Sequence, residues 1–173
     1  NNILVTTGSS GAFVLSFLAA FDAGDRVALA CPGYPAYRNI LAALGIKVVD
    51  IPVDKETNFQ PTSAMLDSLQ SSTGFPLDGL VIASPSNPTG TMLKTEDLHD
   101  LCLYCEKHGI RLISDEVYHG ITYDFPAQTA LAFSSQSIVI NSFSKYFSMT
   151  GWRLGWLVVP GDLLRAVECL AQN

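Results

Sequence analysis

The segment around Lys145 contains side chains that could act chemically on an aldehyde or ketone. Lys145 ends the run SFSK (residues 142–145), which follows the apolar segment 137–141. A lysine in a partly desolvated site has a lowered pKa and can act as a nucleophilic amine, although an ordinary exposed lysine is the plain alternative. Arg153 lies eight residues further along and could return to the same face. Its planar guanidinium suits a phosphate group.

An acid and an amide follow two other apolar segments. Asp115 comes directly after segment 111–114, and Tyr118 is close enough in sequence to serve the same ligand. A carboxylate buried at a strand end is costly unless it has a cationic partner, and a protonated ring nitrogen would be one. Asn87 lies between two prolines in the run SPSNPTG, which stiffen the chain and hold the amide in place. A simple turn with a capping Asn is the alternative interpretation.

Two further turns complete a set of ligand-binding groups. Gly8, Ser9 and Ser10 follow segment 3–6 and open a helix, where free backbone N–H groups favour an anion. The run lacks the lysine and glycine spacing of a P-loop or a GxGxxG motif. Tyr34 and Tyr37, the two aromatics of the run PGYPAY, could stack on a planar ring, or the run could be a rigid turn with a packed tyrosine. Together the groups favour one small cofactor that is anionic, planar and aldehyde-bearing.

The elements that must position these residues alternate between strands and helices. This alternation predicts an α/β fold, a three-layer α/β/α sandwich with a mostly parallel seven-stranded sheet. Ligands bind outside the carboxyl ends of the strands in such sheets. The predicted strands are 3–6, 26–30, 47–51, 79–83, 111–114, 137–141 and 155–159, and the predicted helices are 11–23, 36–44, 62–70, 96–107 and 162–171.

Three local features refine this prediction. Segment 142–154 shows no convincing helix, so we expect the strand after it to run antiparallel to the rest. Thr95 and Gly109 are predicted to cap the two ends of the fourth helix. Segment 71–78 has the composition of a surface loop.

Composition excludes several classes of protein. The chain has 173 residues, 48% of them hydrophobic, which fits a single domain spanning 1–173 with a real core. The apolar runs are too short for a membrane span, and a parallel sheet covered on both faces explains the hydropathy. A net charge of −6 without a basic cluster argues against nucleic acid as a partner. We expect a cytoplasmic protein.

The pair Cys102 and Cys105 forms a CxxC motif that could bind metal or act in redox chemistry. Burial is the better interpretation, because the pair lies in a helical pattern with no second CxxC and no histidine at zinc-finger spacing. We therefore predict no metal site. His119 is interpreted as a packing or hydrogen-bonding residue.

Five runs together carry a family resemblance: TTGSSGAF, PGYPAY, SPSNPTG, SDEVYHGI and SFSKYFSMTGWRLGW. In this order and spacing they resemble the class I/II aminotransferases, the fold-type-I enzymes that depend on pyridoxal 5'-phosphate. The resemblance covers nearly the whole chain. It implies the large domain of these enzymes, amino-acid and 2-oxo-acid substrates, and a homodimer.

The resemblance also implies a role for each matching residue. Lys145 would carry the cofactor as a Schiff base and, once freed by substrate, move a proton at the substrate Cα. Asp115 would keep the pyridine nitrogen protonated, so that the ring acts as an electron sink. The remaining contacts would come from Asn87 and Tyr118 at the 3'-oxygen, from Tyr34 on the ring face, and from Gly8, Ser9, Ser10, Ser142 and Arg153 at the phosphate.

An aminotransferase is therefore the predicted function, with two alternatives on the same fold. These are a C–S β-lyase or related synthase, and an aminotransferase-like sensor domain of a transcription regulator. An α/β domain without cofactor would require every strand-end group to coincide by chance. No stretch matches the N-terminal segment or C-terminal small domain of the family, so we expect a fragment that is inactive by itself.

Overall fold

A seven-stranded sheet forms the centre of the computed structural model. The model describes residues 2–172, so Asn1 and Asn173, at the limits of the predicted domain, lie outside the described residues. The strands are β1 (Ile3–Thr6), β2 (Arg26–Cys31), β3 (Lys47–Pro52), β4 (Gly79–Ala83), β5 (Arg111–Asp115), β6 (Ile138–Ser142) and β7 (Gly155–Val158). They lie in the order β1-β7-β6-β5-β4-β2-β3.

Helices cover both faces of this sheet, as the alternating pattern predicts. Because successive side chains on a strand point to opposite faces, Leu80 and Ile82 pack in one apolar cluster and Val81 in the other. The first cluster includes Leu66 and Leu101 from the third and fourth helices. The three-layer prediction is confirmed. The helices are α1 (Gly8–Ala20), α2 (Pro35–Ala43), α3 (Ser63–Thr73), α4 (Thr95–His108) and α5 (Gly161–Ala171).

Local chemistry explains where the helices end. Gly109 closes α4 in the left-handed conformation, φ +67°, as predicted. The predicted N-cap is wrong by one residue, because Lys94 occupies that position and makes no side-chain capping bond, and Thr95 is the first helical residue. The predicted loop 71–78 is also wrong at its start, since α3 continues to Thr73 before Gly74 turns the chain.

The reversal between β6 and β7 sets the geometry of the sheet edge. β7 runs antiparallel to both of its neighbours, and the other pairings are parallel. Without a crossover helix the chain can reach the adjacent position only by turning back, so the antiparallel prediction is confirmed. As a result Thr6, Gly155 and Ser142 stand side by side at the edge where β5 ends in Asp115.

Candidate active site

A pocket opens at the carboxyl edge of the sheet, among the loops that follow β1, β2, β4, β5 and β6. Phe13, Ile40 and Val117 supply apolar walls. Gly8, Ser142 and Arg153, also predicted site residues, are not among those that line it. The predicted site residues that line the pocket are Ser9, Ser10, Tyr34, Asn87, Asp115, Tyr118 and Lys145.

Asp115 contributes a buried carboxylate at the end of β5. Its Oδ1 accepts the backbone N–H of Val117 at 3.1 Å, and its Oδ2 accepts the hydroxyl of Tyr37. Burial raises the pKa of Asp115 to about 6, while the two hydrogen bonds and the charge of Lys145 act in the opposite direction. Burial disfavours a carboxylate that has no cationic partner. A cation bound in the pocket would relieve this cost and would therefore pair strongly with the Asp115 carboxylate.

Tyr37 has a contact that its place in the run PGYPAY did not predict, because the run indicated only an aromatic that could stack on a ring, and the structure places its hydroxyl on Asp115. Tyr37 lies on α2, and its ring centre is 4.9 Å from that of Phe13 and 5.3 Å from that of Tyr34. Burial, followed by the charge of Asp115, raises the pKa of Tyr37 well above its ordinary value, so its hydroxyl remains a donor. The available signal was the spacing of three between Tyr34, the N-cap residue of α2, and Tyr37 in its first turn.

Lys145 extends from a hydrogen-bonded turn toward the pocket. Its Nζ lies 5.8 Å from the centre of the Tyr118 ring. The backbone is fixed on both sides, because the N–H of Ser148 donates to the Lys145 carbonyl at 3.0 Å and the hydroxyl of Thr150 donates to the Ser144 carbonyl at 2.8 Å. The amine therefore lies at the pocket on a turn that is itself held in place.

One end of the pocket is built by a close approach between β7 and the first turn of α1. A Cβ on Gly155 would lie 2.9 Å from the carbonyl carbon of Gly8 and 3.0 Å from the nitrogen of Ser9. A Cβ on Gly8, which has φ +75°, would lie 2.5 Å from Nη2 of Arg153. Arg153 also donates from Nη1 to the carbonyl of Thr150 at 3.0 Å. A guanidinium beside a helix N-terminus is suited to an anion.

Ser142, also predicted to bind phosphate, is almost fully buried at the end of β6. Its hydroxyl accepts the N–H of Ser144 at 2.9 Å and lies 3.2 Å from the carbonyl oxygen of Leu154. In this structure Ser142 therefore braces the Lys145 turn against the start of β7.

The loop that carries Asn87 depends on Gln60, a residue that no sequence pattern predicted. Gln60 is 4% exposed, and its amide donates to the carbonyl oxygens of Ala83, at 3.2 Å, and Thr91, at 3.0 Å. These two residues lie on either side of loop 84–90, so Gln60 fixes the base from which Asn87 reaches the pocket. No motif singled it out, because a lone Gln after a strand has no characteristic spacing.

The CxxC motif lies away from this pocket, in the core. Cys102 and Cys105 are buried in α4, and burial raises the pKa of the two thiols to about 11 and about 12. Within residues 2–172 no cluster of three or more acidic, histidine or cysteine side chains could hold a metal ion. The same range contains no helix long and apolar enough to cross a membrane.

Comparison with known proteins gives consistent matches. The family model for aminotransferase class I and II matches residues 1–173. The chain is 57% identical to the valine–pyruvate aminotransferase of Mycobacterium tuberculosis, a match that covers 99% of the chain and 44% of the relative. An aminotransferase structure from Mycobacterium tuberculosis superposes with a TM-score of 0.94 at 56% identity, over 99% of this chain and 46% of that one.

A more distant structure shares the fold. A tetra mutant of Thermus thermophilus aspartate aminotransferase superposes with a TM-score of 0.92 at 28% identity, over 99% of this chain and 47% of that one. The chain thus spans less than half the length of the curated relatives it matches.

Proposed function

The chain belongs to the aminotransferase class I and II family, and from this premise we propose that it binds pyridoxal 5'-phosphate in a protein that transfers an amino group between an amino acid and a 2-oxo acid. The observation that carries the proposal is the buried Asp115 carboxylate in the same pocket as the Lys145 amine. The carboxylate matches a protonated pyridine nitrogen, and the amine matches an aldehyde.

The other groups at the pocket fit the remaining parts of this cofactor. Asn87 and Tyr118 would donate hydrogen bonds to the ring oxygen, and Tyr34 would pack on the ring face. The phosphate would lie at the start of α1, where Arg153 meets Gly8 and where the helix N-terminus favours negative charge. Ser9, Ser10 and Ser142 would complete that end, and Ser142 would also hold the Lys145 turn.

When bound, pyridoxal 5'-phosphate supplies an electron-withdrawing ring that stabilises negative charge at the substrate Cα. Asp115 would sustain this effect by keeping the ring nitrogen protonated. Lys145 would hold the cofactor covalently through Nζ. Once released by substrate, its amine would take the proton from the substrate Cα and deliver it to the C4' carbon of the cofactor, so that the amino group could leave the substrate. The apolar walls formed by Phe13 and Val117 would limit the access of water.

The activity is proposed for the whole protein, because the chain spans only 44% of its relative from Mycobacterium tuberculosis. Valine and pyruvate are the first substrates to test, since that relative is named a valine–pyruvate aminotransferase and shares 57% identity. Pyruvate accepting an amino group from valine would yield alanine. A homodimer in the cytoplasm is part of the same proposal, and the mass in solution would test the dimer.

The decisive experiment is an absorbance titration with pyridoxal 5'-phosphate, followed by borohydride reduction and peptide mass analysis. We expect a visible band in the wild-type protein, its loss in Lys145→Ala, and cofactor mass on the peptide that contains Lys145. The matched control is Lys107→Ala, because Lys107 is exposed in the last turn of α4, outside the pocket lining. A band of equal size in Lys145→Ala and Lys107→Ala would refute the assignment.

A further inference from the structure

Glu116 is buried directly behind the pocket, and its carboxylate joins three stretches of chain. The residue is 3% exposed. Its Oε1 accepts hydrogen bonds from the hydroxyl of Ser114 at 3.2 Å, the hydroxyl of Thr129 at 3.0 Å and the N–H of Ala130 at 2.9 Å. Its Oε2 faces Nδ1 of His119 at 3.4 Å.

His119 extends this connection to the loop that carries Asn87. Its Nε2 lies 3.0 Å from the carbonyl oxygen of Ser84, the residue that begins loop 84–90. The Ser84 hydroxyl in turn accepts the N–H of Leu93 at 2.9 Å. The segment after β5 and the loop after β4 are therefore linked through one imidazole ring.

Both contacts of the His119 ring are favourable only when the ring and the Glu116 carboxyl group together carry two protons. A carbonyl oxygen can only accept, so Nε2 of His119 must carry a proton toward Ser84. With Nε2 protonated, Nδ1 of a neutral ring has a lone pair facing Oε2 of Glu116. A favourable contact there needs a second proton, on the ring or on the carboxyl group. If that proton is lost, the ring can satisfy Ser84 or Glu116, but not both.

We infer that Glu116 and His119 are a proton-sharing pair of positioning residues, which holds loop 84–90 and thereby places Asn87 at the pocket. The consequence for cofactor binding rests on the proposed function. The hold on the loop is a property of the chain itself and can be measured without cofactor.

The surroundings of the pair favour its uncharged form. Burial raises the pKa of Glu116 and lowers that of His119, so a neutral carboxylic acid facing a neutral imidazole competes with the ion pair. The titratable groups of neighbouring elements that interact electrostatically with Glu116 are Asp115 on β5 and Cys102 on α4. As the pH rises, the shared proton leaves and the hold on Ser84 weakens.

Two substitutions separate this role from simple packing. Glu116→Gln keeps an oxygen for the three donors and presents an amide N–H to Nδ1 of His119, so it supplies the shared hydrogen without titrating. His119→Phe removes both contacts of the ring. The readout is hydrogen exchange in cofactor-free protein of the Ser86 amide, which donates to the Thr91 carbonyl, and of the Gly90 amide, which donates to the Ser86 carbonyl. The Val49 amide in β3 serves as the internal reference.

We expect His119→Phe to accelerate exchange at Ser86 and Gly90 by about tenfold relative to the reference amide. In Glu116→Gln the exchange of both amides should stay slow. The ratio of the exchange rate in wild type to the rate in Glu116→Gln should rise between about pH 5 and about pH 9, because only the wild-type pair loses its shared proton. Wild-type rates in His119→Phe, or a constant ratio for Glu116→Gln, would overturn the inference. The second result decides the matter even if His119→Phe does not fold.

The cofactor titration completes the test. Pyridoxal 5'-phosphate should bind Glu116→Gln with an affinity that falls less at high pH than the affinity of the wild-type protein. If wild-type protein binds no cofactor while the exchange results hold, the proposed function fails and the positioning pair stands. If cofactor binds and the exchange results fail, the inference alone is overturned.

Discussion

Replacing Asp115 with Asn should stabilise the cofactor-free protein at neutral pH. The carboxylate is 7% exposed, and burial disfavours its charge. Asn preserves both contacts of the side chain, because Oδ1 can accept the N–H of Val117 and Nδ2 can donate to the hydroxyl oxygen of Tyr37. The substitution therefore removes the buried charge and leaves the packing nearly unchanged.

The size of the effect follows from the pKa of Asp115. Its ordinary value is 3.8 and its value in the folded protein is about 6. The folded state therefore binds the proton more tightly than the unfolded state, and this stabilising contribution is complete below pH 3.8. It is lost as the pH rises through about 6. A pKa difference of about 2 corresponds to about 3 kcal/mol of the free energy of unfolding.

Urea unfolding of the cofactor-free protein from about pH 4 to about pH 8 tests this value. The free energy of unfolding of Asp115→Asn should exceed that of wild type by an amount that grows from near zero to about 3 kcal/mol. If the amide introduced by Asp115→Asn made poorer hydrogen bonds, the difference in the free energy of unfolding would change by the same amount at every pH. Its increase with pH would remain. The control is Asp22→Asn, at an exposed site outside the pocket lining. A difference that stays constant over this range would refute the reasoning.

Three further substitutions test other contacts of the pocket. Tyr37→Phe removes a hydrogen bond that lowers the pKa of Asp115, so the pH at which the cofactor-free protein loses this stability should move upward from about 6, as measured in the same urea series. Gly8→Ala would place a Cβ 2.5 Å from Nη2 of Arg153, at a residue with φ +75°, and should weaken cofactor binding about tenfold or more in the absorbance titration. Gln60→Leu leaves two carbonyl oxygens without their donor and should lower the free energy of unfolding by about 1–3 kcal/mol, and Gln60→Glu at acid pH, whose protonated carboxyl group can still donate one of the two hydrogen bonds, should lower it less.

Local sequence patterns predicted much of the architecture. Each of the seven predicted strands is present, with ends that differ by at most one residue, and the five helices follow the predicted helical patterns. Strands buried on both faces form short apolar runs, which makes them easy to recognise. Helix ends were less certain, as α3 and Thr95 show, because capping depends on one or two bonds that neighbouring chain can replace.

The sequence also determined which chemical groups stand at the sheet edge. Parallel strands bring their carboxyl ends to one side, so residues that follow separate apolar runs must be neighbours in space. On this basis Asp115, Asn87 and Lys145 were expected around one ligand, and the structure places all three at one pocket. Their roles toward a cofactor remain predictions that the titration tests.

Only the tertiary structure decided how those groups are supported. Tyr37 meets Asp115 across 78 residues, and His119 meets Ser84 across 35. Such contacts depend on the packing of α2 and on the path of the loop after β4. Residue spacing records the period of one element and the order of elements along the chain. It does not record which side chains of two different elements come within hydrogen-bonding distance, because that depends on how the whole core fills its volume.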